Sequence, residues 1–233
     1  PDGVPMGHGF TYSGHPVAAA VALEPLKIYE EMALVATVAR NAPAVQDGIR
    51  PLTPQTMDIL HGEILHLNRL IDDLYELALA DIGALTYRRE ALDLGTLVAQ
   101  TVESHRQQFT AQNLSLTLEL PDRPLVFRGD AERLRQLVTN LLQNSLRYTD
   151  AGGLVQVRLT AEGDGVQLCF SDSAPGVPVA ARARLFERLY RVEGSRSRIH
   201  GGAGLGLALC KSIVEAHGGT IAAAPSALGG LEI

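Results

Sequence analysis

The chain has 233 residues and a formal net charge of −6, with 46% hydrophobic and 20% charged side chains. At roughly 150 residues per domain this is one to two domains with a core of their own, which excludes a disulfide-stapled mini-protein and a disordered low-complexity chain. With 26 acidic against 20 basic residues and no lysine- or arginine-rich block, broad nucleic-acid binding is excluded too.

The uncharged span from Gly3 to Leu23 carries Pro5 and Pro16, and its continuous apolar run is only Val17 to Leu23, too short for a membrane helix. From Pro16 to about Asn41 the alanine-rich sequence predicts one or two helices, with Pro25 as a kink. Pro43, Gly48, Pro51 and Pro54 then mark a connector. Thr53 and Pro54 suit a helix start. Beyond them Met57, Leu60, Ile64, Leu67, Ile71, Leu74 and Ala78 recur in alternating steps of three and four, a heptad seam that calls for a partner helix.

After Gly83 the pattern becomes mixed α and β. A helix is predicted over 94–109, then an alternating strand over 114–120 with Leu114, Leu116, Leu118 and Leu120 on one face. Asp130 suits the cap of a helix running to about Tyr148, and Gly152-Gly153 ends it. Strands at 154–160 and 166–171 flank Gly163-Asp164-Gly165, a hairpin signal, which predicts an antiparallel sheet. A turn at 175–178, a short helix at 181–190, a polar loop at 192–202, a helix at 204–217 and a strand from Thr220 complete the pass. Cys169 and Cys210 sit in apolar segments and read as two buried thiols of a reducing compartment rather than a bridge. Pro1 and the strand-like sequence reaching Ile233 read as cut ends.

Three elements carry chemistry. Asn140 and Asn144, at i and i+4 on a helix whose Leu137, Leu141 and Leu142 face the core, project two amides together, with Arg147 and Tyr148 one turn on. An amide oxygen is a hard ligand suited to Mg²⁺, which takes one or two protein ligands beside phosphates. Asp172-Ser173-Ala174-Pro175-Gly176 follows an apolar strand and offers a carboxylate to an amino group such as that of adenine. Gly201-Gly202-Ala203-Gly204-Leu205-Gly206 opens a helix whose N–H groups can hold phosphates. Each also has a plain reading: solvated asparagines, an ordinary Asp turn, a flexible glycine loop. No strand runs into the glycines, which disfavours a dinucleotide fold.

Their order is informative. An Asn helix, an Asp turn, an aromatic-basic segment (Phe186, Tyr190, Arg191) and a glycine loop resemble the N, G1, F and G2 boxes of the histidine-kinase ATP-binding domain, and the likeness runs from about Thr53 to Ile233. This resemblance implies an α+β fold: the two-layer α/β sandwich of the histidine-kinase and gyrase-type ATPases (GHKL, or Bergerat, fold), preceded by a helical dimerisation segment. It implies ATP and Mg²⁺ as cofactors, with Asn144 on the metal and Asn140 beside it. Asp172 would meet adenine next to Gly176, Arg147, Tyr148 and Arg191 would lie near the phosphates, Gly202, Gly204 and Gly206 would form the hinge of a lid, and Leu205 would be among the ATP-binding residues. Ala174 departs from the glycine usual in the G1 box. The implied activity is phosphoryl transfer from MgATP to a histidine and onward to a response regulator, in a homodimer. The chain would be the cytoplasmic portion of an inner-membrane sensor.

A phosphoacceptor would be a His-Glu or His-Asp pair followed closely by proline on a first dimerisation helix. No such motif is present: His15-Pro16 lacks the acid, and His61, His66, His8, His105, His200 and His217 are poor candidates. Self-phosphorylation is therefore not expected. Residues 8–43, with Thr11, resemble a fragment of class III pyridoxal-phosphate aminotransferases, without the cofactor lysine or the large domain. A plain amphipathic helix is the other reading of that stretch. The expected partition is a foreign helical segment at 1–43, a dimerisation helix with its linker at 44–85, and an ATP-binding domain at 86–233, truncated in its last strand. Two other functions stay open: a non-catalytic dimerisation and regulator-binding module, and an ATPase of the gyrase or mismatch-repair type.

Overall fold

A computed structural model describes residues 54–81, 86–163, 165–192 and 204–233. The expectations for residues 1–53, and for the loop with Gly202, lie outside the described residues. The chain divides into two compact units, Pro1–Ala78 and Leu79–Ile233. In the first, helix α1 (Pro54–Asp81) has 28 residues, a length of about 42 Å at 1.5 Å per residue. Its buried line is Leu70, Leu74 and Leu77, whereas Ile64 and Ile71 are 56% and 46% exposed, as is Tyr75 at 58%. Of the expected heptad seam, Leu74 thus lies in the buried line and Ile64 and Ile71 lie on an exposed stripe.

The second unit runs β1 (Glu90–Asp93), α2 (Leu94–Ala111), β2 (Ser115–Glu119), β3 (Val126–Gly129), α3 (Ala131–Tyr148), β4 (Leu154–Glu162), β5 (Gly165–Ser173), α4 (Val179–Arg182), α5 (Gly206–Ala216), β6 (Ala224–Pro225) and β7 (Gly229–Glu232). A five-stranded sheet has the order β2-β4-β5-β7-β6, and β1 pairs separately with β3. The sheet is mixed. β2 runs parallel to β4 because the chain between them crosses over through α3, and every other pair is antiparallel.

Registers of Leu116 with Val155 and of Val155 with Asp172 put these three on one face of the sheet. There Leu116, Val155, Val157, Leu159, Phe170 and Leu231 are buried, each worth roughly 1.5–3 kcal/mol as large side chains. Against this face lie α2, with Leu97, Val98, Val102 and Phe109; α3, with Leu134, Leu137, Val138, Leu141 and Leu142; and α5, with Leu209, Cys210 and Ile213. The other face is polar: the Gln156 amide and Arg158 guanidinium donate to the two oxygens of Glu119 at 2.7 and 2.8 Å. This is the two-layer sandwich the sequence implied.

Aspartates cap two of the helices, α2 and α3. Asp130 Oδ1 accepts from the N–H groups of Glu132 and Arg133 at 3.0 and 3.1 Å, as expected, and Asp93 caps α2 through Gly95. The expected hairpin forms, with Glu162 paired to Gly165 and Gly163 at φ +56°.

Three further expectations are corrected, and two short strands were not foreseen. Only 179–182 of the predicted helix at 181–190 is α-helical, because Leu189 turns to φ +59° and its N–H donates to the Gly204 carbonyl at 3.0 Å. The strand from Thr220 is displaced to Ala224, with Ser226 and Gly229 closing a tight turn before β7. β1 and β3 escaped notice because each has only 4 residues. Cys169 is half-buried rather than buried, on the polar face of the sheet, whereas Cys210 is buried.

Candidate functional site

Asp172 comes from the penultimate position of β5 and is 5% exposed on the helix-facing side of the sheet. Alternation along β5 sends it inward after Phe170 and Leu168, so a carboxylate is inserted into an apolar row. Burial pushes its pKa up to about 6, and the bond from the Leu231 N–H to Oδ1, at 2.7 Å, pulls in the opposite direction. Oδ2 takes no hydrogen bond from the described residues and is left to a donor from outside. Gly230 lies against this group: a Cβ there would collide with Asp172 Oδ1 and stand 2.5 Å from the Ser173 carbonyl. A Cβ on Gly176 would be 3.4 Å from the carbonyls of Gly229 and Gly230. Glycines at 176 and 230 thus let β7 and the turn after β5 close around the carboxylate.

Asn140 and Asn144 lie one turn apart on α3, both partly buried. The Asn140 Nδ2 is fully buried and has no hydrogen-bond partner, which costs about 1–3 kcal/mol unless a ligand or water meets it. A Cβ on Gly206 would stand 4.0 Å from Asn140 Cγ, so the asparagine faces the start of α5. No side chain caps that helix: Leu205 occupies the cap position, buried, with no oxygen to offer. An uncapped helix start beside an unpartnered buried amide has the chemistry of an anion site.

Gly204 has φ +73°, and a Cβ there would be 2.9 Å from the Leu189 carbonyl carbon. Close approach of the two backbones therefore joins the aromatic-basic segment to the glycine run. Nearby, the Arg184 guanidinium stacks 4.2 Å over the Tyr190 ring. Arg147 and Arg191 are exposed and Tyr148 is half-buried.

The C-terminus of α3 is tied to the Asp turn. The Asp150 N–H donates to the Ala174 carbonyl at 3.2 Å, and Ser173 Oγ accepts from the Leu154 N–H at 2.9 Å. These links join the Asn helix to the Asp turn, and the approach of Gly206 to Asn140 joins the same helix to the start of α5. Sequence reasoning missed Thr149, whose buried Oγ1 also has no partner, and Gly230, whose role depends on a contact with β5. Gly229-Gly230 was the visible signal for the second; nothing marked the first.

Asn144, partly buried, carries an amide oxygen, and among the described residues no three His, Cys, Asp or Glu form a metal-binding group. The donors thus fit a magnesium ion held by one amide together with phosphates, and they do not fit an all-protein cage. A separate cleft of about 860 Å³, lined by Val179, Arg182, Phe186, Lys211 and Ile221 among others, includes none of these site residues.

Residues 129–233 match the family of histidine kinase-, DNA gyrase B-, and HSP90-like ATPases. Over 199 residues the chain is 47% identical to the signal transduction histidine-protein kinase BaeS of Escherichia coli (strain K12), covering 85% of this chain and 42% of that protein. The chain spans less than half the length of the curated relatives it matches. Its fold is similar to that of the Acinetobacter baumannii histidine kinase AdeS, with a TM-score of 0.72 at 21% identity over 84% of this chain and 90% of that one. It is also similar to the histidine kinase ThkA, solved in complex with the response regulator protein TrrA, with a TM-score of 0.64 at 20% identity over 90% and 61% of the two chains. Residues 129–233 thus match the histidine kinase-, DNA gyrase B-, and HSP90-like ATPases, and the sheet and its helices share the fold of the histidine kinases AdeS and ThkA.

Proposed function

We propose that this domain binds MgATP and presents its terminal phosphoryl group to a histidine supplied from outside the domain, from which a response regulator would take it. The observation that carries the reading is the juxtaposition of Asn140, with its unpartnered buried amide, and the uncapped start of α5 at Gly206. Asp172 Oδ2 would accept from the adenine amino group. Asn140 and the N–H groups of α5 would hold the phosphate chain, and Asn144 would hold the metal beside it. Arg147, Tyr148 and Arg191 supply charge and a hydroxyl at the rim, and Gly204 and Gly206, with Gly202 and Leu205, form the hinge over the nucleotide. The magnesium would neutralise the transferring phosphates, while the protein contributes position and fixed dipoles.

The His-Glu or His-Asp motif with its following proline is missing from the sequence, so the chain itself does not become phosphorylated. His105 is 9% exposed, with its ring bonded to the Thr101 carbonyl, and does not act as an acceptor. The exposed Ile64, Ile71 and Tyr75 stripe of α1 supports a homodimer through the 44–85 segment. The response regulator is proposed from the ThkA–TrrA complex. A cytoplasmic position in an inner-membrane sensor, and a fused aminotransferase-like segment at 1–43, belong to the same reading.

Calorimetric titration of ATP with and without Mg²⁺ tests it. The chain should bind with a Mg²⁺-dependent component, and Asn144→Ala should remove that component. No binding at all would leave a non-catalytic regulator-binding module. Acid-labile label on the chain after incubation with terminally labelled ATP would overturn the missing-acceptor reading. A monomer in sedimentation, unchanged by Ile71→Lys, would overturn the dimer.

A further inference from the structure

His217 closes α5 and uses both ring nitrogens. Nδ1 lies 2.8 Å from the Ile213 carbonyl, which can only accept, so Nδ1 carries the proton. Nε2 is then the acceptor for the Asp130 N–H at 3.0 Å. Asp130 is the residue that caps α3. One imidazole thus ties the C-terminal end of α5 to the N-terminal end of α3, the two helices whose other parts hold Asn140, Asn144 and Gly206.

Residues 86–89 grip the same point with three consecutive side chains or amides. The Tyr87 ring meets His217 edge-on, with centroids 5.5 Å apart at 82°. The Arg88 N–H donates to Asp130 Oδ2 at 2.8 Å, and the Arg89 guanidinium donates to the Ala216 carbonyl, the last residue of α5. Phe127 of β3 also meets the imidazole, with centroids 6.1 Å apart and the rings tilted by 35°. Asp130, Tyr87, Arg88 and Arg89 are thus gathered at this point by direct contacts with the imidazole, with Asp130 or with the end of α5.

We propose that His217 is a positioning residue: with Asp130 it forms a clamp through which the segment 86–89 sets the placement of α3 and α5, and hence the geometry at Asn140 and Gly206. In the chain this segment precedes β1 and follows the long helix, so whatever displaces it reaches both helices at once. The consequence for nucleotide rests on the proposed function; the clamp itself does not.

The test is hydrogen exchange on the full chain without nucleotide, followed by ATP titration. His217→Phe keeps the ring contacts with Tyr87 and Phe127 but has no acceptor nitrogen, and should speed exchange at least five-fold in 86–90 and also in 204–210, at the far end of α5. His217→Gln, whose amide oxygen can accept from the Asp130 N–H, should restore protection to within two-fold. ATP affinity should fall about five-fold in His217→Phe and recover in His217→Gln. Unchanged exchange in 204–210 overturns the proposal, as does failure of glutamine to rescue. If His217→Phe does not fold, Arg89→Gln at the exposed Arg89 must raise exchange in 204–210, and an unchanged profile overturns the clamp. An unaltered chain that binds no ATP overturns the proposed function, while exchange still decides the clamp.

Discussion

The Leu231 N–H donates to Asp172 Oδ1 at 2.7 Å across 59 residues of sequence. One strand thereby fixes the orientation of a carboxylate on its neighbour, and Oδ2 takes no hydrogen bond from the described residues. Close approach of Gly230 makes the bond possible.

Replacing Asp172 by asparagine should weaken ATP binding at least ten-fold and raise the melting temperature above pH 7. The physical reason is that burial holds the Asp172 pKa near 6, above the ordinary carboxylate value. A raised acid contributes stability that is fully present below its unfolded value and lost as pH rises through about 6, on the order of 3 kcal/mol across the shift. The stabilisation by Asp172→Asn should therefore be large at pH 8 and vanish near pH 4. Thermal unfolding at the two pH values checks it, and an equal effect at both would contradict the cause given.

Gly230→Ala should destabilise the domain by roughly 2–3 kcal/mol, because the new methyl collides not only with Asp172 Oδ1, which can swing aside, but also with the backbone carbonyls of Asp172 and Ser173, which cannot. Urea unfolding measures the loss. ATP affinity should fall as well, since Asp172 must turn away.

Two glycines at positive φ provide a controlled comparison. Gly204 (φ +73°) has the Leu189 backbone 2.9 Å from a built Cβ, whereas Gly152 (φ +84°) has nothing within 4 Å. Gly152→Ala should cost about 1 kcal/mol, the left-handed backbone alone. Gly204→Ala should cost about 1–2 kcal/mol more and weaken nucleotide binding, whereas Gly152→Ala should leave binding unchanged.

Asp130→Ala should cost about 1–2 kcal/mol at pH 7 by leaving the first N–H groups of α3 without their cap. Burial of Asp130 raises its pKa, but N–H donors from Arg133, Arg88 and Glu132 outweigh it, and the net value lies below that of an ordinary carboxylate. Its contribution is thus present above the unfolded value near pH 4 and is lost as pH falls through the folded value. The difference between parent and Asp130→Ala should shrink on acidification below pH 4, read by urea unfolding at several pH values.

Much of this was legible in the residues themselves. The i, i+3, i+4 spacing of Leu134, Leu137, Val138, Leu141 and Leu142 dictates which face of α3 is buried, and hence that Asn140 and Asn144 lie along another. Asp130 announces a cap, Gly163 a hairpin, and the order of asparagine, aspartate and glycine elements announces the domain. What sequence spacing could not decide was set by contacts between distant segments. The parallel placing of β2 against β4 follows from a crossover. That Leu74 is buried while Ile64 and Ile71 of the same heptad seam are exposed depends on what packs against α1, not on the spacing. Gly230 against Asp172, and His217 against Asp130, need two chain segments to meet. Local periodicity is a property of one segment and its backbone geometry, so a sequence carries it alone; a register, a close approach or a shared proton belongs to two segments, and only the packed fold brings those into being.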